Sequence, residues 1–263
     1  ITLGTGNVSV GGKSLGAAVG VLVADAGAEA YVKGGTSTWE AASMEVAATN
    51  TFNGSAKEDS EDTKAKNVAV GGSVAYGDEG YAGQGSVTVN KITQNTKAHV
   101  EKGSYRLHGK LDVLANSRTY MFGMAGGLAA GTGGGFGAAV DTQLVDVDTS
   151  AYINNGAEVL GAGDIKVQAD SLEKITSLAL QASAGGKFAG AGAANAHKVD
   201  VDTLAWIGSE KDSGAERGYL GFSDQSGVGK VSILASDDAV LKVNAAQGAG
   251  AGEVAGGLSI GVA

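Results

Sequence analysis

A repeated three-residue pattern is the feature that most constrains the fold of this chain. Alanine, a ring-bearing residue and a β-branched residue follow one another at four places, which begin at Ala30, Ala98, Ala151 and Ala205. The intervals between these alanines are 68, 53 and 54 residues. A unit that recurs in this way and cannot bury its apolar face alone must stack on copies of itself. The sequence therefore predicts a repeat array.

Alternation of side chains indicates that each repeat contains extended strands. In residues 199–207 the small and apolar side chains fall at every second position, so that Val199 and Val201 share a face with Ala205 while two aspartates lie on the other face. Residues 165–169 alternate in the same way. Glycines such as Gly156 separate these stretches, and short strands joined by tight glycine turns are typical of one coil of a parallel β-helix.

The use of glycine and proline supports paired strands. The chain has 45 glycines and no proline among its 263 residues. Proline would remove hydrogen-bond donors from the strands, whereas glycine permits tight turns and close backbone approach. We therefore expect an all-β fold, a parallel β-helix or β-solenoid built from Gly/Ala-rich repeats of about 54 residues.

Each repeat also contains a longer stretch of glycine and alanine. One example is residues 175–196, with a turn at Gly185-Gly186-Lys187. Alanine and glycine alternate over residues 189–193, which predicts that strands there pack closer than the usual ~10 Å between sheets. The sequence leaves two alternatives open: long hairpins that flank the solenoid, or a continuation of its coil.

The chain is interpreted as one repeat array, residues 1–263, that is a fragment of a longer protein, because neither end has the polar cap of a repeat array. The approximate modules are 1–67, 68–119, 120–172 and 173–263. Two insertions interrupt the repeat, Asn53 to Asn67 and Ser209 to Phe222. Insertions in solenoids map to loops on one face, which serve either as a binding surface or as solvated connections.

Charge and motifs exclude several function classes. The net charge of −9 repels phosphate backbones, so we expect no nucleic-acid partner. The three histidines share no ligand spacing, no nucleophile motif is present and the acidic residues recur with the repeat, so we expect no enzyme. Residues 119–140 are uncharged and long enough to span a membrane, but the equivalent stretches of other repeats carry charges. We therefore expect no transmembrane segment.

Carboxylates recur at equivalent positions of two repeats. These are Asp146, Asp148, Asp200 and Asp202. If the repeats stack in register, equivalent aspartates lie about 4.8 Å apart, where like charges repel unless a cation bridges them. Calcium takes oxygen ligands of this kind. The two interpretations are a calcium site and a hydrated acidic ridge.

The ring-bearing residue of each pattern falls on the same outward face as these aspartates. The four residues are Tyr31, His99, Tyr152 and Trp206. A column of exposed rings beside carboxylates could stack on sugar rings or on a partner's surface. The alternative is that these residues are present because aromatic side chains favour strands.

One repeat carries a sequence similar to that of a known class of bacterial proteins. Its pattern is Thr149-x-Ala151-Tyr152-Ile153, then Gly156-Ala157-x-Val159, then Gly163-Asp164-Ile165-x-Val167-x-Ala169. This pattern resembles the repeats of very large bacterial surface exoproteins, the filamentous-haemagglutinin-like and leukotoxin-like adhesins and related autotransporter passengers. The resemblance extends over essentially the whole chain.

The resemblance implies a right-handed parallel β-helix that is exported across the outer membrane and acts at the bacterial cell surface or outside the cell. It implies a structural and adhesive shaft or filament, with roles in attachment, aggregation, biofilm and virulence. Its partners would be neighbouring copies of itself, end to end or side by side, and host or bacterial surface glycans or proteins. The alternatives are a passenger of a leukotoxin- or cytolysin-type exoprotein and a carbohydrate-active β-helix enzyme.

The length of the repeats differs from that class. At 53 to 68 residues they are longer than the coils of filamentous haemagglutinin, and the glycine and alanine stretch is not part of its basic pattern. A flattened solenoid with long strands is therefore the second geometry that we expect.

Overall fold

A computed structural model of the chain describes residues 2–52, 68–78, 80–154, 156–208, 219–222 and 229–262. These residues form fifteen strands and no helix. The strands lie in three sheets, and every strand pair among the described residues is parallel. The expectation of an all-β fold with parallel strands is confirmed.

Two of the sheets are built from long strands. The first long sheet contains β1 (Thr2–Gly11), β4 (Met44–Phe52), β5 (Val68–Gly77), β8 (Leu111–Gly131), β11 (Ile165–Gly185) and β14 (Val231–Ala251). The second long sheet contains β2 (Ser14–Val32), β6 (Tyr81–Val100), β9 (Gly134–Asn154), β12 (Phe188–Gly208) and β15 (Val254–Val262). The short sheet contains β3 (Trp39–Ala41), β7 (Gly103–Leu107), β10 (Ala157–Ala162) and β13 (Tyr219–Phe222).

The chain passes through the first long sheet, the second long sheet and the short sheet, and then begins the same circuit again. We call one circuit a layer, so that the third layer consists of β8, β9 and β10. Equivalent residues of successive layers lie side by side, as Leu111 and Ile165 do across β8 and β11. The anchor alanine Ala151 likewise lies between Ala98 and Ala205. This topology is consistent with a β-solenoid.

The long glycine and alanine stretches continue the circuit. β11 and β12 flank the turn at Gly186 but belong to different sheets, and each pairs with strands of the neighbouring layers. A hairpin would require antiparallel pairing between them. The alternative of long flanking hairpins is therefore wrong, and the strands instead reach 21 residues.

The insertions and module boundaries map onto the layers as follows. Residues 53–67 lie outside the described residues, and the strands on either side of them pair with consecutive parts of β8, Phe52 beside Thr119 and Val68 beside Phe122. Of the second insertion the structure describes Tyr219–Phe222, which is β13. The module boundaries placed at 119/120 and 172/173 fall inside β8 and β11.

The end of the molecule beside the short sheet has an apolar core, and we call it the hydrophobic half. In the third layer its long strands contribute residues 111–119 and 145–153. Their inward side chains pack with those of the short sheet into one cluster that includes Val113, Tyr105 and Ile153. The Tyr105 ring is fully buried, and its hydroxyl donates a hydrogen bond to the carbonyl oxygen of Glu101 at 2.9 Å.

The other end, beside the turn that joins the two long sheets, is lined by small side chains, and we call it the glycine-rich half. In the third layer it comprises residues 122–144, where β8 ends and β9 begins. The two backbones come close together here: a Cβ added to Gly71 of the first long sheet would lie 3.3 Å from the carbonyl oxygen of Val87 in the second. Alternate alanines of β12 are buried between the sheets, namely Ala189, Ala191 and Ala193. The prediction of close packing in this stretch agrees with these contacts.

Candidate functional site

The four ring-bearing residues of the repeated pattern form a stacked column on the outer face of the second long sheet. We call Tyr31, His99, Tyr152 and Trp206 the aromatic column. Register pairs each ring with the next along the sheet. The ring centroids are separated by 5.3, 4.7 and 4.3 Å, and the planes of neighbouring rings differ by 10° or less. A column at this place was predicted from the sequence, and the geometry confirms its existence.

Stacking determines which ring surfaces remain open. Tyr31 at one end is 56% exposed, Tyr152 and Trp206 are half-buried, and His99 is buried between its neighbours. The expectation that all four rings are exposed is therefore wrong for His99. A sugar ring needs an open aromatic face, whereas the inner rings of the column present only their edges. Binding of a ligand to the column stays a prediction, with Tyr31 as its most accessible member.

Charged side chains surround the Tyr31 end of the column. The ammonium of Lys33 lies 3.0 Å from a carboxylate oxygen of Glu101, and Nε2 of His99 lies 3.4 Å from the other oxygen. A carboxylate oxygen of Glu29 lies 4.0 Å from Nδ1 of His99. The hydrogen bond from Lys33, with a smaller contribution from His99, lowers the pKa of Glu101. This end of the column therefore presents both signs of charge beside an open ring.

The repeated aspartates also lie in register on the outer face. Asp146 pairs with Asp200, and Asp148 pairs with Asp202, and all four are exposed. Partial burial raises the pKa of Asp148, and the charges of Asp146 and Asp202 raise it further. Lys198 lies 3.3 Å from Asp200.

Equivalent positions of neighbouring strands form two rows across the second long sheet, and these four aspartates, on β9 and β12, occupy only part of each row. Across the described ranges, no three carboxylate, histidine or cysteine side chains are grouped so that they could hold a metal ion. Thr93 and Asn95 occupy the same rows in the layer before β9. Calcium binding to the aspartate pairs stays a prediction.

A row of buried polar groups between the two long sheets was not predicted from the sequence. The carboxylate of Asp141 is fully buried and accepts hydrogen bonds from the amide of Gln143, at 2.8 Å, and from the hydroxyl of Ser177. The amide of Asn90 in turn donates to Gln143 at 3.1 Å. Burial raises the pKa of Asp141, although the hydrogen bonds from Ser177, Gln143 and Thr88 act in the opposite direction.

A second buried carboxyl group lies nearby on β11. Glu173 is fully buried, and the hydroxyl of Ser171 donates a hydrogen bond to it. Burial is the main cause that raises the pKa of Glu173 to about 7, and the neighbouring charges of Asp237 and Asp238 contribute in the same direction.

The alternation of the strands carried a signal for both buried groups. Asp141 lies at even spacing from Val145 and Val147, and Glu173 at even spacing from Val167 and Ile175, so they share the inward faces. Extending the period of two upstream and downstream of the apolar segments would have placed both carboxyl groups inside.

Two grooves cross the outer face of the first long sheet. The groove of the hydrophobic half has a volume of about 420 Å³, and polar side chains such as Thr49, Asn116, Arg118 and Asp170 line it. The groove of the glycine-rich half has a volume of about 720 Å³, and its lining is mainly apolar. The outer surface therefore changes from polar to apolar along the same strands.

Comparison of the chain with protein-family models, with curated proteins and with solved structures gave no match. Where the structure describes the chain, it contains no helix with the length and hydropathy to cross a membrane. The functional argument therefore depends on the geometry of the chain itself.

Proposed function

We propose that this chain is a structural and adhesive segment of a secreted or surface-anchored bacterial exoprotein, built as a right-handed β-solenoid. The observation that carries the proposal is the in-register stacking of equivalent repeat positions through successive layers, as in the aromatic column. In a stack of this kind each repeat contacts only the repeats next to it, and the stack as a whole provides extended surfaces for binding. The resemblance of the repeats to surface adhesins favours attachment, aggregation or biofilm as the role of those surfaces.

The length of the strands determines what such a segment can supply. Each layer uses about 54 residues, as the offset between Leu111 and Ile165 indicates, and adds about 4.8 Å along the stacking direction. A strand of 21 residues spans about 70 Å across that direction. The chain therefore gains breadth much faster than height, which favours the flattened geometry and a role in presenting broad faces.

The outer faces supply the chemistry for adhesion. The open ring of Tyr31 lies beside Lys33 and Glu101, and the polar groove of the first long sheet is lined by hydroxyl, amide and charged groups. Hydroxyl-rich surface glycans and polar protein surfaces fit groups of this kind. The proposal assigns no catalytic step, because the exposed aspartates recur with the repeat whereas an active site is normally unique.

Small-angle X-ray scattering of the purified 263-residue chain tests the shape on which the proposal depends. A compact protein of this length would have a radius of gyration of about 18 Å. A plate about 70 Å wide and five layers high should give a clearly larger value, and electron micrographs should show flat particles. A compact particle would contradict the solenoid and the structural role together.

Attachment of latex beads coated with the chain to bacterial or epithelial cells tests adhesion separately. Beads coated with an unrelated acidic protein of similar size serve as the control. Binding that exceeds the control and weakens in Tyr31→Ala or Arg118→Ala would support adhesion through these surfaces. Plate-shaped particles that do not attach would restrict the role to structure.

A further inference from the structure

The outer face of the glycine-rich half of the first long sheet is apolar where an ordinary soluble sheet is polar. Its side chains point away from the interior. From the middle of the sheet to the turn, none of the outward side chains in the first four layers is charged. They include Val8, Val74, Tyr76, Met124, Leu128 and Leu180. The interior behind them contains alanine, glycine and buried polar groups such as Gln84 and Gln181. Polarity is thus inverted in this part of the molecule.

The relief of this face consists of a groove beside a ridge. Gly6, Gly72 and Gly126 occupy one row across three layers and form the floor of the groove. Two residues further along the strands, Val8, Val74 and Leu128 form a parallel row that is 76%, 40% and 44% exposed. The two rows are about 7 Å apart. The face therefore has a ridge next to a groove, both running along the stacking direction.

A ridge beside a groove on one face can fit the same face of a second copy. A two-fold axis that runs parallel to the rows, midway between them, places the ridge of each copy in the groove of the other. Such an isologous contact uses the same residues on both sides. The face covers about 30 Å along the strands and about 19 Å across its four uncharged layers, or about 570 Å² per copy, which is near the lower end of the area that each partner buries in a specific protein interface.

The surroundings of the face favour a protein partner over a lipid surface. The turns next to it carry the exposed charges of Lys13, Asp78 and Lys187. Insertion of the whole face into a lipid bilayer would also bury these charges in the hydrocarbon region, at a high cost in free energy. A second copy covers the face and leaves the turns in water.

We propose that two copies of this chain pair side by side through this face, with the row Val8, Val74 and Leu128 of one copy in the Gly6, Gly72 and Gly126 groove of the other. The pairing rests on the layered structure proposed above but not on adhesion to cells. The two-fold axis keeps the stacking directions of both copies parallel, so that equivalent layers face each other. In the fourth layer the large residue changes rows, with Leu180 beside Gly126 and Ala182 beside Leu128, and the same axis places these two residues opposite each other. The partner of this surface is thus the chain itself.

Sedimentation velocity of the chain over a wide range of concentration tests the pairing. We expect a dimer whose dissociation constant rises at least about 100-fold in Leu128→Lys, since the substitution would bury a charge in the contact. Gly72→Val should have a similar effect by filling the groove, and a Cβ at Gly72 meets only the Gly126 carbonyl oxygen at 3.8 Å, so the fold should accept it. The control is Leu204→Lys, an equally exposed site on the second long sheet in the hydrophobic half, which should leave the dimer intact.

Cross-linking supplies a measurement that does not depend on a destabilising variant. The chain has no cysteine, so Val74→Cys provides a single thiol close to its own copy across the two-fold axis. A short bismaleimide should link Val74→Cys into a covalent dimer and should not link Leu204→Cys. Equal linking of both variants would overturn the proposal.

Three other results would also overturn it: a monomer at every concentration, a dimer that Leu128→Lys and Gly72→Val leave unchanged, or flotation of the wild-type chain with phosphatidylcholine vesicles, which would make lipid the occupant. A monomer that scatters as a flat plate would remove the pairing and leave the proposed function in place. A compact monomer would remove both.

Discussion

The hydrophobic half and the glycine-rich half are made from the same long strands, yet they bury opposite kinds of side chain. In the hydrophobic half Val113, Val167 and Ile153 fill the interior, and charged residues occupy much of the outer face. In the glycine-rich half the interior holds alanine, glycine and polar groups, and residues such as Leu128 and Phe136 point outward. The parallel backbone ladder is continuous through both halves. Backbone pairing thus fixes the sheets, while the side chains decide how far apart they lie.

The difference between the halves predicts different sensitivities to substitution. Burial of each large apolar side chain contributes about 1.5–3 kcal/mol, so the hydrophobic half depends on volume that fills its interior. The glycine-rich half brings backbone against backbone, where close contacts supply dispersion but leave no room for additional atoms. Truncation should therefore harm the first half most, and enlargement the second.

Loss of Tyr105 should have the largest effect of any single truncation. Tyr105→Ala leaves a cavity in the hydrophobic half and removes the hydrogen bond that the hydroxyl donates to the carbonyl oxygen of Glu101 at 2.9 Å, with the carbonyl oxygen of Val32 as a second, more distant acceptor at 3.3 Å. We expect a loss of about 3–5 kcal/mol in the free energy of unfolding, measured by chemical denaturation. Tyr105→Phe, which removes only the hydroxyl, should cost about 1 kcal/mol. Val87→Ala on the outer face of the glycine-rich half should cost less than about 1 kcal/mol, and an equal loss at both sites would contradict the distinction between the halves.

Enlargement of Gly135 should destabilise the glycine-rich half almost as strongly. A Cβ at this position would lie 2.2 Å from the carbonyl oxygen of Ala184 and 2.9 Å from that of Ala129, and both are backbone atoms that cannot turn aside. Gly135→Val should therefore lower the free energy of unfolding by about 3 kcal/mol or more. The matched control is Gly85→Val, because a Cβ at Gly85 meets no atom within 4 Å. If both variants melt at the wild-type temperature, the sheets are further apart than the structure shows.

The buried carboxyl of Glu173, near the border of the two halves, should make stability depend on pH. Its pKa is about 7 in the folded chain against an ordinary value of 4.5, so between these values the folded chain keeps a proton that the unfolded chain has released. The stability that the raised pKa of Glu173 gives the folded chain is therefore fully present below about pH 4.5 and is lost as the pH rises to about 7. This change is on the order of 3 kcal/mol in the free energy of unfolding. Thermal melts across this range should show wild-type stability falling relative to that of Glu173→Gln. Parallel pH profiles of the two proteins would show that Glu173 does not carry the effect.

The sequence predicted the hydrophobic half better than the glycine-rich half, and the reason is physical. Alternation identifies a strand only where apolar and polar side chains contrast, as in Val145 to Ile153, and that contrast also placed the aromatic column correctly. Glycine and alanine carry little such contrast, so the sequence could not distinguish a hairpin from the continuous strands β11 and β12. The buried positions of Asp141 and Glu173 were missed because a carboxyl group normally indicates an outer face.

The smallest predicted effect concerns the aromatic column, which stabilises the hydrophobic half from outside its core. Trp206 stacks on one ring within the column, whereas Tyr152 stacks on two, and each stacked pair contributes about 0.5–1.5 kcal/mol. Trp206→Ala should therefore lower the free energy of unfolding by about 1 kcal/mol and Tyr152→Ala by about 2 kcal/mol, with the fold intact in both. A double-mutant cycle of the two residues should give a coupling energy of about 1 kcal/mol. A coupling near zero would mean that the two rings are neighbours only because the register places them there, and that their stacking adds nothing to the stability that the core of the hydrophobic half provides.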